Sequence, residues 1–430
     1  MADLRVNPSR TQSLRTSATK PLDPATLADQ AALARLADTW QSNPALGALP
    51  RQDTLAAVVQ RAMAAQPAVS IEEQCDPPSD DRTPRPSTQL GDKPVKHSWE
   101  AIPPQEAGAW RQLKEDPALE HLTPAQQAEF KQLAKALGNS PRAREALTKL
   151  LLSGKLTDQD LAGGKILLDN LVKLLADPKA AGIDAKTLLA QTLIEIADPA
   201  TINQQDRGTC AATSVQIHLA LTHPSEYVRL VAGLSSPEGK VKLANGDTLS
   251  RVSDWAAADG GRSLPSKLLQ PAFMTYAIGR NGTYSNTTDK ETKTVTGPSL
   301  IPFLTTTYTI KTHGGGLSDR EVTRLESGVF DQKEHTVNTG NTVNYVDPKK
   351  YTDMNAAFAE LQKAVARGPV TVGIDWPGLK NAGHEIVVTA IKNGKVHFIN
   401  PWGKVQSMDA AEFKILMLGY SVPAASGSGK

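Results

Sequence analysis

Cysteine is nearly absent from the chain, which has only two among 430 residues, Cys75 and Cys210. This number excludes the disulfide-dense scaffolds of small secreted domains, and Cys75, in a Pro-rich polar stretch, is expected to be an unpaired thiol. No run of about 18 apolar residues occurs, so no transmembrane helix is predicted. The eight histidines are scattered without metal-ligand spacing, so neither a metal site nor a cofactor is predicted.

Net charge is also small, because 47 Lys and Arg residues face 45 Asp and Glu residues. A balance of this kind implies no attraction to nucleic acid or to a membrane surface. Residues Met1–Pro50 lack the apolar core of a secretory signal peptide, so the chain is expected to be made in the cytoplasm.

Composition divides the chain into four parts. Residues 1–105 are predicted to be a largely disordered arm with a Pro-rich linker, since proline and polar residues dominate its end. Residues 106–198 carry four apolar stripes at helical spacing and are predicted to be a small bundle. Residues 199–422 hold every candidate catalytic residue, and residues 423–430 are a flexible tail. Two or three folded units are expected for this length.

Three short motifs point to chemistry. Cys210 ends a polar stretch that begins at Gln204, and a helix is predicted to follow it. His384 opens an apolar run rich in β-branched residues, which predicts a strand. Asn400 begins the motif Asn400-Pro401-Trp402-Gly403. A thiol at a helix start, an imidazole on a strand and an amide after that strand are the parts of a Cys-His-Asn nucleophilic site.

Each residue type has a defined task in such a site. A helix N-terminus and a nearby imidazolium favour the thiolate of Cys210. His384 would exchange the proton, and Asn400 would orient the imidazole ring. The oxyanion needs donors, which the Cys210 backbone N–H and the side chain of Gln204, six residues earlier, can supply. Gln205 is adjacent and can take the same role.

At these residues the chain resembles the papain-like cysteine peptidases. That family has a Gln six positions before the nucleophile, a Gly two before it, and a His and an Asn that complete the site. The chain departs from the family at Ala211, where a Trp is usual. The separation of Cys210 and His384 also exceeds the usual ~130–150 residues, which implies insertions between the two lobes.

The resemblance implies an α+β, two-lobed catalytic domain that hydrolyses peptide bonds of a protein or peptide substrate through a thioester. Two alternatives remain on the same scaffold. One is a glutamine deamidase or transamidase, and the other is a binding module with an idle triad. The Arg/Ser/Thr-rich residues 10–17 are similar to those of bacterial effectors that are exported without a cleaved signal.

A hairpin is predicted to bring His384 and Asn400 together, because Asn393-Gly394 is a strong two-residue turn signal between two apolar runs. An uninterrupted ladder around this turn would place Asn400 opposite Val387, an odd number of residues from His384. The two side chains would then lie on opposite faces. A bulge or an early strand end is therefore required.

Two further expectations concern helices. A helix over Leu264–Ile278 is predicted to be broken or kinked at Pro271. Gly208 is expected to provide the sharp turn before the nucleophile. Residues 106–198 abut the catalytic part through a short connection, so we predict that they restrain it in cis, with structural support or substrate docking as the alternatives.

Overall fold

The structure is a computed structural model, and it describes residues 117–138, 140–280, 282–298, 305–313, 316–332, 334–339, 352–377 and 383–423. The chain divides into two compact units, Met1–Val69 with Thr296–Thr306 and Ser70–Val295 with Thr307–Lys430. The predicted N-terminal arm lies outside the described residues, and so does the predicted tail except for Pro423, which ends the last strand. The fold below is that of the second unit, to which nearly all described residues belong.

Within residues 117–138 and 140–209, four α-helices precede the candidate nucleophile, as their apolar stripes predict. Thr123 caps the first of them through a reciprocal pair of hydrogen bonds with Gln126, and a proline occupies the first helical position. Ser140 precedes the second helix without a side-chain capping bond. The helices are α1 (Pro124–Ala136), α2 (Pro141–Leu152), α3 (Leu167–Ala176) and α4 (Ala185–Ala197).

Six more α-helices follow in the part of the chain that the structure describes. Leu264–Ile278 is one continuous helix with Pro271 inside it, so the predicted break is wrong. Pro271 is buried with the residues around it, and this packing compensates for the lost backbone hydrogen bond. The helices are α5 (Cys210–Thr222), α6 (Pro224–Ser235), α7 (Leu264–Ile278), α8 (Asp319–Val329), α9 (Met354–Val365) and α10 (Ala410–Leu416). No helix in the described ranges is long and apolar enough to cross a bilayer.

The strands form three sheets in the described part of the chain. A short hairpin pairs β1 (Lys240–Lys242) with β2 (Thr248–Ser250). A second sheet has the order β3-β4-β5, from Gly282–Ser285, Lys290–Pro298 and Thr305–His313. The main sheet has six strands in the order β10-β9-β8-β7-β11-β6. They are β6 (Glu334–Asn338), β7 (Val370–Asp375), β8 (Gly383–Lys392), β9 (Lys395–Asn400), β10 (Lys404–Asp409) and β11 (Met417–Pro423).

The β8–β9 hairpin contains the bulge that the sequence requires. Its turn is Asn393-Gly394, and both residues have positive φ angles of 52° and 72°. The register shifts between Val388 and Ala390, and beyond the shift Val387 pairs with Ile399. One more step places Ile386 opposite Asn400. The extra residue changes the offset by one and returns the His384 and Asn400 side chains to the same face.

Two buried apolar clusters lie on opposite faces of the sheet. The first joins α1–α8 and takes Val387 and Ile399 from β8 and β9. The second packs α9 and α10 against the other face and takes Ile386, Val388 and Phe398 from the same two strands. This alternation is what a strand buried on both faces produces. The α+β class is therefore confirmed.

The first cluster runs without a break across the predicted domain boundary at residues 198 and 199. It contains Leu193 and Ile196 from α4 together with Ile202, Ala212 and Val215. Burial on this scale makes the helices α1–α4 contribute to the same core as the nucleophile helix. That position supports the structural alternative for residues 106–198, and cis restraint stays a prediction.

A buried polar network crosses the same boundary. Glu195 of α4 accepts hydrogen bonds from Tyr227, from Ser263 and, at 3.1 Å, from Ser266. The Glu195 carboxylate also accepts a hydrogen bond at 3.4 Å from Gln216 Nε2, which lies on α5, the helix that begins at Cys210. Burial raises the pKa of the Glu195 carboxyl to about 7, and the hydroxyl donors only partly offset that effect.

The protonation of Glu195 makes stability depend on pH. Because the folded protein binds the Glu195 proton more tightly than the unfolded chain, the folded state is stabilised at low pH. This contribution is fully present below about pH 4.5, where the folded and the unfolded states both bind the proton, and it is lost as the pH rises through about 7. We expect wild type to lose about 3 kcal/mol of unfolding free energy across this window relative to Glu195→Gln, which does not titrate there. Urea unfolding at pH 5 and pH 8 measures the difference. Parallel pH profiles for the two proteins would contradict the prediction.

Candidate active site

The candidate nucleophile is the first residue of α5. Nearly every residue of this helix is buried, including Ala212, Val215 and Leu219, whose spacing places them on one face. One turn after Cys210, Ser214 Oγ donates to the Glu385 carbonyl at 2.9 Å. Since Ser214 and Cys210 are four residues apart, they share one face of the helix. The bond therefore sets the first turns of α5 against the beginning of β8, where His384 lies.

The loop before the nucleophile is hydrogen-bonded to Pro401 and Trp402, the two residues after Asn400. Gln204 N–H donates to the Pro401 carbonyl at 2.8 Å. Asn203 forms an isolated antiparallel bridge with Trp402, and its Nδ2 donates to the Trp402 carbonyl at 3.2 Å. These bonds join segments about 200 residues apart and place Gln204 beside the end of β9.

The loop before the nucleophile has a left-handed backbone at Gln205. Gln205 has a φ of 56°, in the left-handed region, and its N–H donates to Asn203 Oδ1 at 2.7 Å. Gly208 is not among the residues with positive φ. The hydrogen bond that Gln205 N–H donates to Asn203 Oδ1 stabilises this left-handed backbone at a residue other than glycine. The backbone also bends at Gly208, without a positive φ, so the turn expected there stays a prediction.

The Gln204 side chain is fully buried in the loop. Its Nε2 donates to the Arg207 carbonyl at 2.5 Å, and its Oε1 has no hydrogen-bond partner. A side-chain amide has two N–H donors, so one remains for an oxyanion. The choice between Gln204 and Gln205 as the oxyanion donor stays a prediction.

His384 and Asn400 meet across the hairpin. His384 Nε2 lies 3.0 Å from Asn400 Oδ1, and both side chains are buried. Asn400 Oδ1 also accepts the Trp402 N–H at 3.1 Å, which identifies this atom as the amide oxygen. The imidazole therefore carries its proton on Nε2, and Nδ1 is the nitrogen that can act as a base.

Gln406 fixes the orientation of the Asn400 side-chain amide. The sequence analysis did not predict it as a site residue. It lies on the edge strand β10, and its Oε1 accepts Asn400 Nδ2 at 2.8 Å. An amide with both ends bonded cannot flip without losing hydrogen bonds. No sequence motif marks Gln406. Its position depends on the pairing of β9 with β10, in which Asn400 lies opposite Lys404.

Two indoles enclose the imidazole. The Trp402 ring lies 4.4 Å from the His384 ring, and the Trp376 ring contacts it edge-on at 5.0 Å. Trp402 belongs to the predicted motif, whereas Trp376 follows β7 and was not predicted as a site residue. Both indoles are buried, and they exclude water from the His384–Asn400 hydrogen bond.

The sulfur of Cys210 is part of a disulfide in this structure. The chain has one other cysteine, Cys75, which lies outside the described residues. A disulfide at Cys210 was not predicted from the sequence. A helix N-terminus favours the thiolate, and the thiolate is the form that oxidises. Thiol chemistry at Cys210 therefore requires reduction first.

The charge beside the imidazole is small. Glu385 follows His384 on β8 and is half-buried on the other face of the strand. Burial, with smaller effects from Glu326 and Asp319, raises the pKa of its carboxyl well above the usual value. Glu385 therefore favours its neutral form. Within the described ranges no group of three or more His, Cys, Asp or Glu residues could hold a metal ion.

Replacing Gln406 tests whether the orientation of Asn400 matters. Gln406→Met keeps the side-chain length and removes the acceptor, which leaves the buried Asn400 amide N–H unbonded at a cost of about 1–3 kcal/mol. We therefore expect the peptide turnover that the sequence predicts to fall about 10–100-fold. Gln406→Glu keeps an acceptor and is expected to retain more activity than Gln406→Met. Steady-state kinetics measure the turnover of both variants, and their melting temperatures are compared so that a loss of activity is not a loss of fold. Equal turnover in the two variants would show that Gln406 only fills space.

No protein-family model matches the chain, and no curated protein is significantly similar to it.

Proposed function

We propose that the protein is a papain-like cysteine endopeptidase that acts on a protein or peptide substrate. The observation that carries the proposal is the buried His384–Asn400 hydrogen bond at the strand edge against which the first turn of α5 packs. The amide fixes the ring so that Nδ1 is the basic nitrogen. A nucleophilic residue, Cys210, begins the facing helix.

The first chemical step follows from this arrangement once Cys210 is reduced. His384 Nδ1 takes the thiol proton, and the helix N-terminus stabilises the thiolate. The thiolate attacks the peptide carbonyl carbon and forms a tetrahedral oxyanion. The Cys210 backbone N–H and the Gln204 amide are the donors that we assign to it. A loss of one such donor typically costs about 10²–10³ in turnover.

The remaining steps return the site to its starting state. The C–N bond breaks as the imidazolium gives its proton to the leaving amine, and a thioester to Cys210 remains. His384 then removes a proton from water, which attacks the thioester carbonyl. The C–S bond breaks, the acid product leaves, and the thiolate is restored.

The structure shows a closed form of this site. Cys210 and His384 expose 0% and 1% of their surface, and the Cys210 sulfur is disulfide-bonded. A substrate carbonyl must reach the sulfur, so turnover requires reduction and opening. This observation also favours one alternative, a papain-like module whose triad is idle. A glutamine deamidase would use the same steps on a side-chain amide.

The test is turnover of an unfolded protein such as casein by the full chain in a reducing buffer. We expect cleavage by wild type and by the control Cys75→Ala, and a loss of at least about 10³-fold in Cys210→Ala, because the nucleophile is removed. Mass spectrometry of the products separates the alternatives. Cut peptides indicate a peptidase, whereas intact chains with glutamine converted to glutamate indicate a deamidase.

Cleavage that persists in Cys210→Ala would contradict the assignment of the nucleophile. No reaction by reduced wild type on casein or on glutamine-rich peptides would favour the idle module. Circular dichroism of each variant ensures that a loss of activity is not a loss of fold.

A further inference from the structure

Outside the triad, one carboxylate is bonded directly to the loop that carries the nucleophile. Asp289 Oδ2 accepts the backbone N–H of Gly208 at 2.8 Å, across 81 residues of sequence. Gly208 lies two residues before Cys210, so at most about 8 Å of chain separates their Cα atoms. No motif in the sequence marks this aspartate.

The Asp289 carboxylate is itself held from the other side. Tyr284 O–H donates to its Oδ1 at 2.6 Å, and Tyr284 is buried. Burial, followed by the charge of Asp289, raises the pKa of the Tyr284 phenol well above its usual value, so the phenol remains a donor. Both oxygens of the carboxylate therefore accept a hydrogen bond, Oδ1 from Tyr284 on β3 and Oδ2 from Gly208 in the loop before Cys210.

The backbone at Asp289 is unusual for a residue with a side chain. Its φ is 53°, in the left-handed region, at the turn between β3 and β4. This conformation costs a non-glycine residue about 1–2 kcal/mol, and it persists only where surrounding contacts determine it. The two carboxylate hydrogen bonds are such contacts.

The turn that presents Asp289 is anchored at its other end. Asn286 is fully buried, and its Nδ2 donates to the carbonyls of Asp254 and Trp255 at 3.3 and 3.1 Å. Its Oδ1 accepts a hydrogen bond from Arg262. The Asp254 carboxylate accepts the Thr287 N–H at 2.9 Å. The β3–β4 turn is therefore a rigid support for Asp289.

A second path leads from this turn to the nucleophile loop. Arg262, which binds Asn286, also donates through Nη1 to Gln270 Oε1 at 3.0 Å. The same oxygen accepts Thr209 Oγ1 at 3.2 Å. Gly208 and Thr209, the two residues before Cys210, are thus both connected to one hairpin.

We propose that Asp289 is a positioning residue, which holds the nucleophile loop through Gly208 N–H and so sets where α5 begins at Cys210. Its charge has a second, opposite effect. A carboxylate bonded to the loop two residues before Cys210 disfavours the thiolate, by about 0.3–1 pKa unit for charges ~10 Å apart. Asp289 therefore fixes the position of the Cys210 thiol but lowers the fraction of it that is ionised.

Two substitutions separate these effects. Asp289→Asn keeps an acceptor for Gly208 and removes the charge, so we expect the thiol pKa of Cys210 to fall by about 0.3–1 unit while turnover stays within a few-fold of wild type. Asp289→Ala removes both, so we expect kcat to fall at least about 10-fold with a smaller change in KM. Rescue by Asn and not by Ala identifies positioning.

The thiol pKa is measured on the reduced full chain from the pH dependence of iodoacetamide alkylation, with Cys210 followed by peptide mass spectrometry. Asp331→Asn and Asp331→Ala are matched controls, since Asp331 also has a left-handed backbone, with φ of 52°, and is exposed. We expect both controls to behave as wild type in alkylation and turnover.

Unchanged alkylation and turnover in both Asp289 variants would overturn the proposal. If Asp289→Ala does not fold, the alkylation profile of Asp289→Asn decides, because a pKa equal to that of wild type excludes a carboxylate beside the nucleophile. The turnover arm rests on the proposed peptidase function, whereas the alkylation arm does not. If reduced wild type has no peptidase activity, the proposed function is wrong. The role of Asp289 is then decided by the alkylation measurement alone.

Discussion

The candidate site depends on the pairing of two short segments, residues 203–204 and 401–402. The bonds from Gln204 N–H to the Pro401 carbonyl and between Asn203 and Trp402 join the loop before the nucleophile to the turn after Asn400. Together with the bond from Ser214 to the Glu385 carbonyl, this pairing fixes the helix that begins at Cys210 against the β8–β9 hairpin. Backbone hydrogen bonds in a buried setting are costly to leave unmade, so this junction is fixed.

A second constraint is the polar network inside the helical layer. Glu195, Gln216 and Gln270 connect α4 to α7 and, through the Thr209 hydroxyl, to the residue before Cys210. Buried networks of this kind are stable only when their members are bonded, so they specify one arrangement of the helices. The helices before residue 199 are therefore part of the support of the nucleophile.

Much of the local structure could be predicted from the sequence, because the signals are local. The Asn393-Gly394 turn and the parity of the strand positions were enough to require the bulge that the hairpin contains. The contributions of Gln406 and Asp289 could not be predicted, because each acts across a pairing whose register is set by tertiary contacts. Pro271 shows the same limit, since buried packing overrides its local tendency to end a helix.

The central claim is that His384 activates Cys210, and site-specific labelling tests it most directly. Reduced wild type and His384→Ala are treated with a thiol-directed epoxide at pH 7, and adducts at the two cysteines are quantified by peptide mass spectrometry. The account predicts faster labelling of Cys210 than of Cys75 in wild type. It predicts loss of this advantage in His384→Ala, with Cys75 unchanged, because the imidazole no longer favours the thiolate. Equal labelling of Cys210 in both proteins would contradict the account.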